Sequence, residues 1–184
     1  MPVVDVEGSP VLLETIVRRA RSTAARPVVL VDGRSGSGKT TLAAAIAIAL
    51  SAQLVHLDDI YPGWDGLRAA ADAVAADVLA DPDGSGRPGW RRWDWGRSLP
   101  AEWHAIDVHA PLVVEGCGAL SRASTPSATL RIWLEGDDEV RKRRALDRDG
   151  ETFAREWDRW ALQEDAFIAA EDPSALADVV LRLG

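Results

Sequence analysis

The sequence concentrates its clearest chemistry in one short run, Gly33-Arg34-Ser35-Gly36-Ser37-Gly38-Lys39-Thr40. The run fills every fixed position of the pattern G-x-x-x-x-G-K-[ST]. Glycines at these spacings let a backbone turn inward so that several N–H groups converge on one anion. A helix starting directly afterwards adds the positive end of its dipole. Gly33, Ser35, Gly36, Ser37, Gly38 and Thr41 are therefore candidates to cradle the phosphates of a nucleoside triphosphate such as ATP. Lys39 is the candidate cation for the β- and γ-phosphates, and the Thr40 hydroxyl is a candidate ligand of Mg²⁺. Lysine occurs only at Lys39 and Lys142 among 21 basic residues. A lysine kept against such an arginine-rich background is there for its chemistry.

Such a loop needs a strand before it and a helix after it, and the surrounding pattern supplies both. Val28 to Val31 is an all-apolar run of β-formers, as expected of a strand buried on both faces of a parallel sheet, and Thr40 to Ser51 reads as a helix. Upstream, Ser9-Pro10 reads as a cap and first turn for a helix over 11–25. Downstream, residues 54–57, 112–114, 130–134 and 179–181 read as further strands. Helices are expected over 65–79, 137–148 and 152–170, with a short one over 101–108. Residues 81–98 read as a loop carrying Trp90, Trp93 and Trp95. Strands alternating with helices imply an α/β fold, a mostly parallel five-stranded sheet flanked by helices, and no linker or repeat divides residues 1–184. Asp58 and Glu115 then fall at carboxyl ends of strands, the edge at which open α/β sheets bind ligands. Arg141, Arg144 and Arg148 share one helix face by their i, i+3, i+7 spacing. That face is either phosphate-directed or a solvated surface balanced by pairs such as Glu139 with Arg143.

Composition narrows the classes of partner. A formal net charge of -8 disfavours broad nucleic-acid binding, which draws its affinity from many Lys and Arg contacts to phosphate. It leaves room for one nucleotide held by backbone N–H groups and a few local cations. No apolar run approaches a membrane span, and MPVVDVEGSP lacks the basic start and apolar centre of a secretion signal. Cys117 is the only cysteine, which points to a reducing cytoplasm. Oligomeric state is left open by these residues.

Beyond the phosphate loop, three segments follow one another in a familiar order: Leu57-Asp58-Asp59-Ile60-Tyr61, Arg92-Trp93-Asp94-Trp95, and Arg141 to Asp149. From about residue 28 to 181 the chain resembles the uridine kinase-like group of P-loop small-molecule kinases, which includes uridine, nicotinamide riboside and pantothenate kinases. The resemblance implies a three-layer P-loop NTPase fold with a short helical lid near 137–152. It also implies transfer of the γ-phosphoryl group of ATP, with Mg²⁺, to a hydroxyl of a small molecule. In those terms Asp58 matches the aspartate facing the acceptor hydroxyl, either as its base or as support for the metal, and Tyr61 matches the aromatic that follows. Glu115 matches a Glu-Gly pair near metal and acceptor, although simple turn chemistry explains that pair equally well. Asp94 matches an aspartate holding ribose hydroxyls, with Arg97 or Arg92 nearby and Trp93 either stacking on substrate or packing beneath the loop. Arg144 and Arg148 match the lid arginines that supply cation to the transferring group.

The departures from the family are a short lid and the pattern Trp157, Trp160, Glu164, Phe167, which suggests packing. The expected acceptor is nucleoside-like, ahead of a sugar, vitamin or antibiotic alcohol and a nucleotide monophosphate. The competing class is a regulatory protein that binds or hydrolyses a nucleotide without a small acceptor. A guanine-reading Asn-Lys-x-Asp segment is absent from the sequence.

Overall fold

A computed structural model describes residues 10–80 and 87–183. The expected cap at Ser9, the N-terminal segment weighed as a secretion signal and residues 81–86 of the expected loop lie outside the described residues. In chain order the elements are α1 (Pro10–Thr23), β1 (Val28–Gly33), α2 (Lys39–Leu50), β2 (Gln53–His56), α3 (Leu67–Ala73), β3 (Gly89–Asp94), β4 (Leu99–Ala105), β5 (Leu112–Glu115), β6 (Leu130–Gly136), α4 (Asp138–Glu171), α5 (Pro173–Leu176) and β7 (Val179–Leu183).

β1 lies at the middle of the architecture, buried along its whole length. Its pleat sends Val28 and Leu30 into a core shared with Leu67 of α3 and Phe153, Trp160 and Phe167 of α4. Val29 and Val31 point the other way, into a core shared with Ile16 of α1 and Ile46 of α2. A strand covered on both faces has no solvent side on which to alternate polar residues, hence the unbroken apolar run. Full burial of a side chain such as Leu30 contributes about 1.5–3 kcal/mol. Among the described residues the main sheet has five strands in the order β2-β5-β1-β6-β7, and every neighbouring pair is parallel. With helices on both faces this is the three-layer α/β arrangement expected from the sequence. Among the described residues, no helix is long and apolar enough to cross a membrane.

Two local expectations are corrected. The helix expected over 101–108 is largely strand β4, and part of the loop expected over 81–98 is strand β3. The two pair antiparallel as a hairpin separate from the main sheet. Cross-strand contacts outweigh the weak helical tendency of Ala-Glu-Trp-His. Trp90 stacks on His104 with ring centroids 4.3 Å apart, Arg92 Nε lies 2.6 Å from Glu102 Oε1, and Arg91 sits 5.9 Å over the Trp103 ring. Such pairs are the stabilising unit of a two-stranded ribbon.

The two helices expected on either side of residues 149–151 are both present, joined through Gly150 into α4. Gly150 has φ 67° and ψ -155°, a backbone region essentially reserved for glycine. Asp137 caps the start of the helix, its Oδ1 accepting the Glu139 and Val140 N–H groups at 3.0 Å each. A Cβ at position 150 meets no atom within 4 Å, so the backbone alone decides the cost of replacing it. Gly150→Ala is expected to cost about 1–3 kcal/mol, read as a lowered urea midpoint at unchanged m-value. Unaltered stability would show that this dihedral does not set the kink.

Candidate active site

β1 ends at Gly33 and the chain turns through the phosphate loop into α2, the turn closed by the Ser37 N–H donating to the Arg34 carbonyl at 3.1 Å. The cap residue of α2 is Gly38, in the left-handed region at φ 83°. No side chain caps this helix end and no acidic residue stands in its first turn. Its first N–H groups are thus free to meet an anion. The Ser37 hydroxyl lies buried inside the loop, with no hydrogen-bond partner among the described residues. Buried hydroxyls are normally satisfied, and an oxygen-rich ligand such as phosphate fits this one.

Ser35, inside the loop, is gripped at both of its peptide groups by α4. Before the kink, Arg141 Nη1 donates to the Ser35 carbonyl at 2.9 Å. After the kink, Glu164 Oε1 accepts the Ser35 N–H at 2.8 Å. The same carboxylate oxygen accepts Trp160 Nε1 at 3.1 Å and the Cys117 thiol at 3.2 Å, and Arg34 Nη1 stands 3.8 Å from the other oxygen. Arg141 is itself buried and also donates to the Gly136 carbonyl and to Asp138. The approach is close enough that Gly36, at φ 78°, has no room for a Cβ, which would collide with the Arg141 carbonyl.

A cavity of about 560 Å³ opens between the loop and α4. Ser35, Lys39, Thr40 and Asp58 line it, as do Tyr61, Trp64, Trp95, Phe153 and Trp160. Arg148, Asp149 and Thr152, flanking the kink, complete its polar wall. Thr40 Oγ1 donates to Glu115 Oε2 at 3.3 Å, and Glu115 Oε1 lies 2.6 Å from His56 Nδ1. That hydrogen bond to Glu115 raises the His56 pKa above its ordinary value. Thr40, Asp58 and Glu115 offer only hard oxygens, a set suited to Mg²⁺, which takes one or two carboxylates and completes its shell with water and substrate phosphate. Among the described residues no cluster of three or more His, Cys, Asp or Glu side chains forms a full metal cage.

The site's electrostatics follow from enclosure. Asp58 keeps an exposed surface on the cavity, but the protein crowded around it still pushes its carboxyl above the ordinary range while Lys39 pulls it down. Burial alone would lower the Lys39 pKa, but the surrounding negative groups, including Glu115, Asp58 and Glu164, raise it on balance. Lys39 is thereby fixed as a cation. Asp32, the last residue before the loop, is pushed up to about 7 by burial. Its carboxylate accepts the N–H groups of Gly33 at 2.6 Å and Leu120 at 2.8 Å, tying the loop's entrance to the turn after β5.

The candidates read from the sequence distribute unevenly. Gly33, Gly36, Ser37 and Gly38 form the loop, and Ser35, Lys39, Thr40, Asp58, Tyr61 and Arg148 line the cavity. Glu115 is buried behind Thr40. Thr41 is exposed on α2. The Tyr61 hydroxyl donates to the Cys117 carbonyl at 2.8 Å, so the residue contributes its ring to the wall. Trp93, Asp94 and Arg97 belong to the hairpin, where Asp94 Oδ1 accepts the Arg97 N–H at 3.0 Å; none of the three lines the cavity. Trp95 stands there instead, its indole N–H donating to the Asp58 carbonyl at 2.8 Å. Arg144 is half-buried on the turn of α4 before Arg148. Sequence reasoning missed Asp32, His56 and the clamp formed by Arg141 and Glu164. An acid on an apolar helical stripe was the available signal for Glu164, and an acid closing an all-apolar strand was the signal for Asp32. His56 meets Glu115 only through strand register.

No protein-family model and no curated protein matches the chain. Among solved structures, the fold is shared with a possible uridine kinase from Bacillus stearothermophilus, at 20% identity and a TM-score of 0.64, over 93% of this chain and 95% of that one. It is shared also with a candidate fructose transport system kinase from a Silicibacter species, at 20% identity and a TM-score of 0.54, over 92% and 97% of the two chains. Both names denote kinases, and the likeness establishes a common fold.

The three donors on one oxygen of Glu164 make a discriminating pair of variants. Gln keeps that oxygen as an acceptor, so Glu164→Gln is expected to stay within about 1 kcal/mol of the parent. Glu164→Ala strands the Ser35 and Trp160 N–H groups, each at about 1–3 kcal/mol, and should also weaken ATP binding about tenfold or more. Urea unfolding and calorimetric titration with ATP measure the two effects. Equal behaviour of the variants would remove the clamp as their cause.

Proposed function

We propose that this chain is a small-molecule kinase, moving the γ-phosphoryl group of ATP to an alcohol. The observation that carries this reading is one cavity lined both by the phosphate-loop residues Lys39 and Thr40 and by Asp58. A nucleotide-binding switch needs a carboxylate there only to support Mg²⁺. An enzyme that transfers phosphate to a hydroxyl also needs a carboxylate facing the place where the acceptor stands.

In this reading the loop N–H groups and Lys39 hold the β- and γ-phosphates, and Arg148 extends positive charge from the lid. Asp58 orients the acceptor hydroxyl and takes its proton as the oxygen bonds to the γ-phosphorus. The bond from that phosphorus to the bridging oxygen breaks, leaving ADP in the grip of Lys39. Thr40, with Asp58 and Glu115 behind water, would hold Mg²⁺, which neutralises phosphate charge when bound. His56 keeps Glu115 oriented toward Thr40. A nucleoside acceptor would call on Asp94 to hold its ribose hydroxyls, and Asp94 is engaged in the hairpin turn. The free, buried thiol of Cys117 supports a cytoplasmic setting.

Asp58→Asn is expected to bind ATP with the parent's affinity while acceptor-stimulated ADP release falls about 10²–10⁴-fold. Lys39→Ala loses about 10²-fold or more. A base must be unprotonated, so the parent's kcat/KM should rise with pH through the elevated Asp58 pKa, on an acid limb above the ordinary aspartate value of 3.8. The Asn variant should lack that limb. Full turnover by Asp58→Asn would remove the base. Slow hydrolysis that no hydroxyl compound stimulates would favour a regulatory nucleotide-binding protein instead.

A further inference from the structure

The cavity that Asp58 lines is walled by five rings, those of Tyr61, Trp64, Trp95, Phe153 and Trp160. Trp64 is their centre, 5.0 Å from Trp95, 5.6 Å from Phe153 in a stacked pair and 6.4 Å from Trp160 edge-on. Tyr61 meets Trp160 at 4.7 Å. Most polar groups of this box are already committed inward, the Trp64 indole N–H excepted. The Tyr61 hydroxyl is spent on the Cys117 carbonyl, the Trp160 indole on Glu164 and the Trp95 indole on the Asp58 carbonyl. Arg148 is paired with Asp149 at 2.6 and 2.7 Å. Among the described residues that line the cavity, this leaves the Asp58 carboxylate, the Thr152 hydroxyl and the Trp64 indole N–H open to an acceptor, beside Ser35, Lys39, Thr40 and Cys117 at the phosphate end.

A polyol fits this wall poorly. Each hydroxyl turned toward an indole or phenyl face forfeits its water without gaining a partner. A flat ring gains offset and edge contacts with several aromatic faces at once, and the volume is that of an ordinary small-molecule site. An ammonium group would also suit aromatic faces; Lys39 and Arg148 oppose a cation in this cavity while Asp58 and Asp149 attract one, so a cationic alcohol is the competitor that the test includes.

Resting on the kinase reading above, we propose that the phosphate acceptor is an uncharged alcohol carried on a flat apolar ring system, its reacting hydroxyl being its principal polar group. Asp58 meets that hydroxyl while the box of Trp64, Trp95, Phe153 and Trp160 holds the ring.

The test is Mg²⁺- and ATP-dependent ADP release by the full chain, with Lys39→Ala as the blank. Naphthalenemethanol and benzyl alcohol stand for the ring class, with fructose, gluconate and glycerol for polyols, uridine for ribose-bearing rings and choline for cations. The expected result is a kcat/KM for naphthalenemethanol about 10²-fold above those of the polyols. Trp95→Ala, which removes a partly exposed ring and is expected to fold, should raise the KM for naphthalenemethanol about tenfold while the KM for ATP changes far less. Faster turnover of a polyol, uridine or choline overturns this acceptor class and leaves the kinase reading standing. So does a Trp95→Ala variant whose KM for naphthalenemethanol is unchanged. Stimulation by none of these alcohols overturns both.

Discussion

Everything around the cavity hangs on how one residue of the phosphate loop is held. Loops rich in glycine are conformationally permissive, and a cradle of N–H groups is useful only if it is already in shape when the anion arrives. Here Ser35 is fixed by its carbonyl to Arg141 and by its N–H to Glu164. Both partners are buried charges, which are costly to enclose unless each finds several hydrogen bonds. Glu164 finds three on one oxygen, and Arg141 finds Gly136 and Asp138 besides Ser35. The clamp and the loop are thus mutually stabilising, and neither is well satisfied without the other.

The acceptor side inherits its geometry from the same arrangement. Trp160 reaches Glu164 from one helical turn away and presents its ring to the cavity, so the wall that would hold a substrate is bonded to the residue that shapes the phosphate loop. Asp58 is placed by the carboxyl end of β2 and by the hairpin, whose Trp95 holds the Asp58 main chain. Its pKa is raised by the protein crowded around it, against the pull of Lys39.

The phosphate loop and the parallel sheet were legible because each is a local pattern. An apolar strand, a glycine turn and a helix are contiguous in the chain, and their chemistry follows from spacing alone. The hairpin was misread because residues 101–105 carry no decisive period by themselves. What makes them a strand is Trp90, Arg91 and Arg92 on the partner, ten or more positions away. For the same reason Asp94 could be aligned by order with a substrate-binding aspartate, although the turn that engages it is visible only once the ribbon is formed. The clamp was hidden more deeply, since Arg141 and Glu164 lie 106 and 129 positions from Ser35. Only the tertiary fold brings them to the two sides of one peptide unit.

The kink at Gly150 gains a mechanical meaning from the clamp. Helix α4 is anchored to the phosphate loop at Arg141 and again at Glu164, and the span between those footings carries Arg148, Asp149, Thr152 and Phe153 over the cavity. A lid fastened at one end swings like a door. A span fastened at both ends is a bridge, and its freedom lies in the arch: it can flex at the glycine keystone, but it cannot lift away without pulling Ser35 out of the cradle.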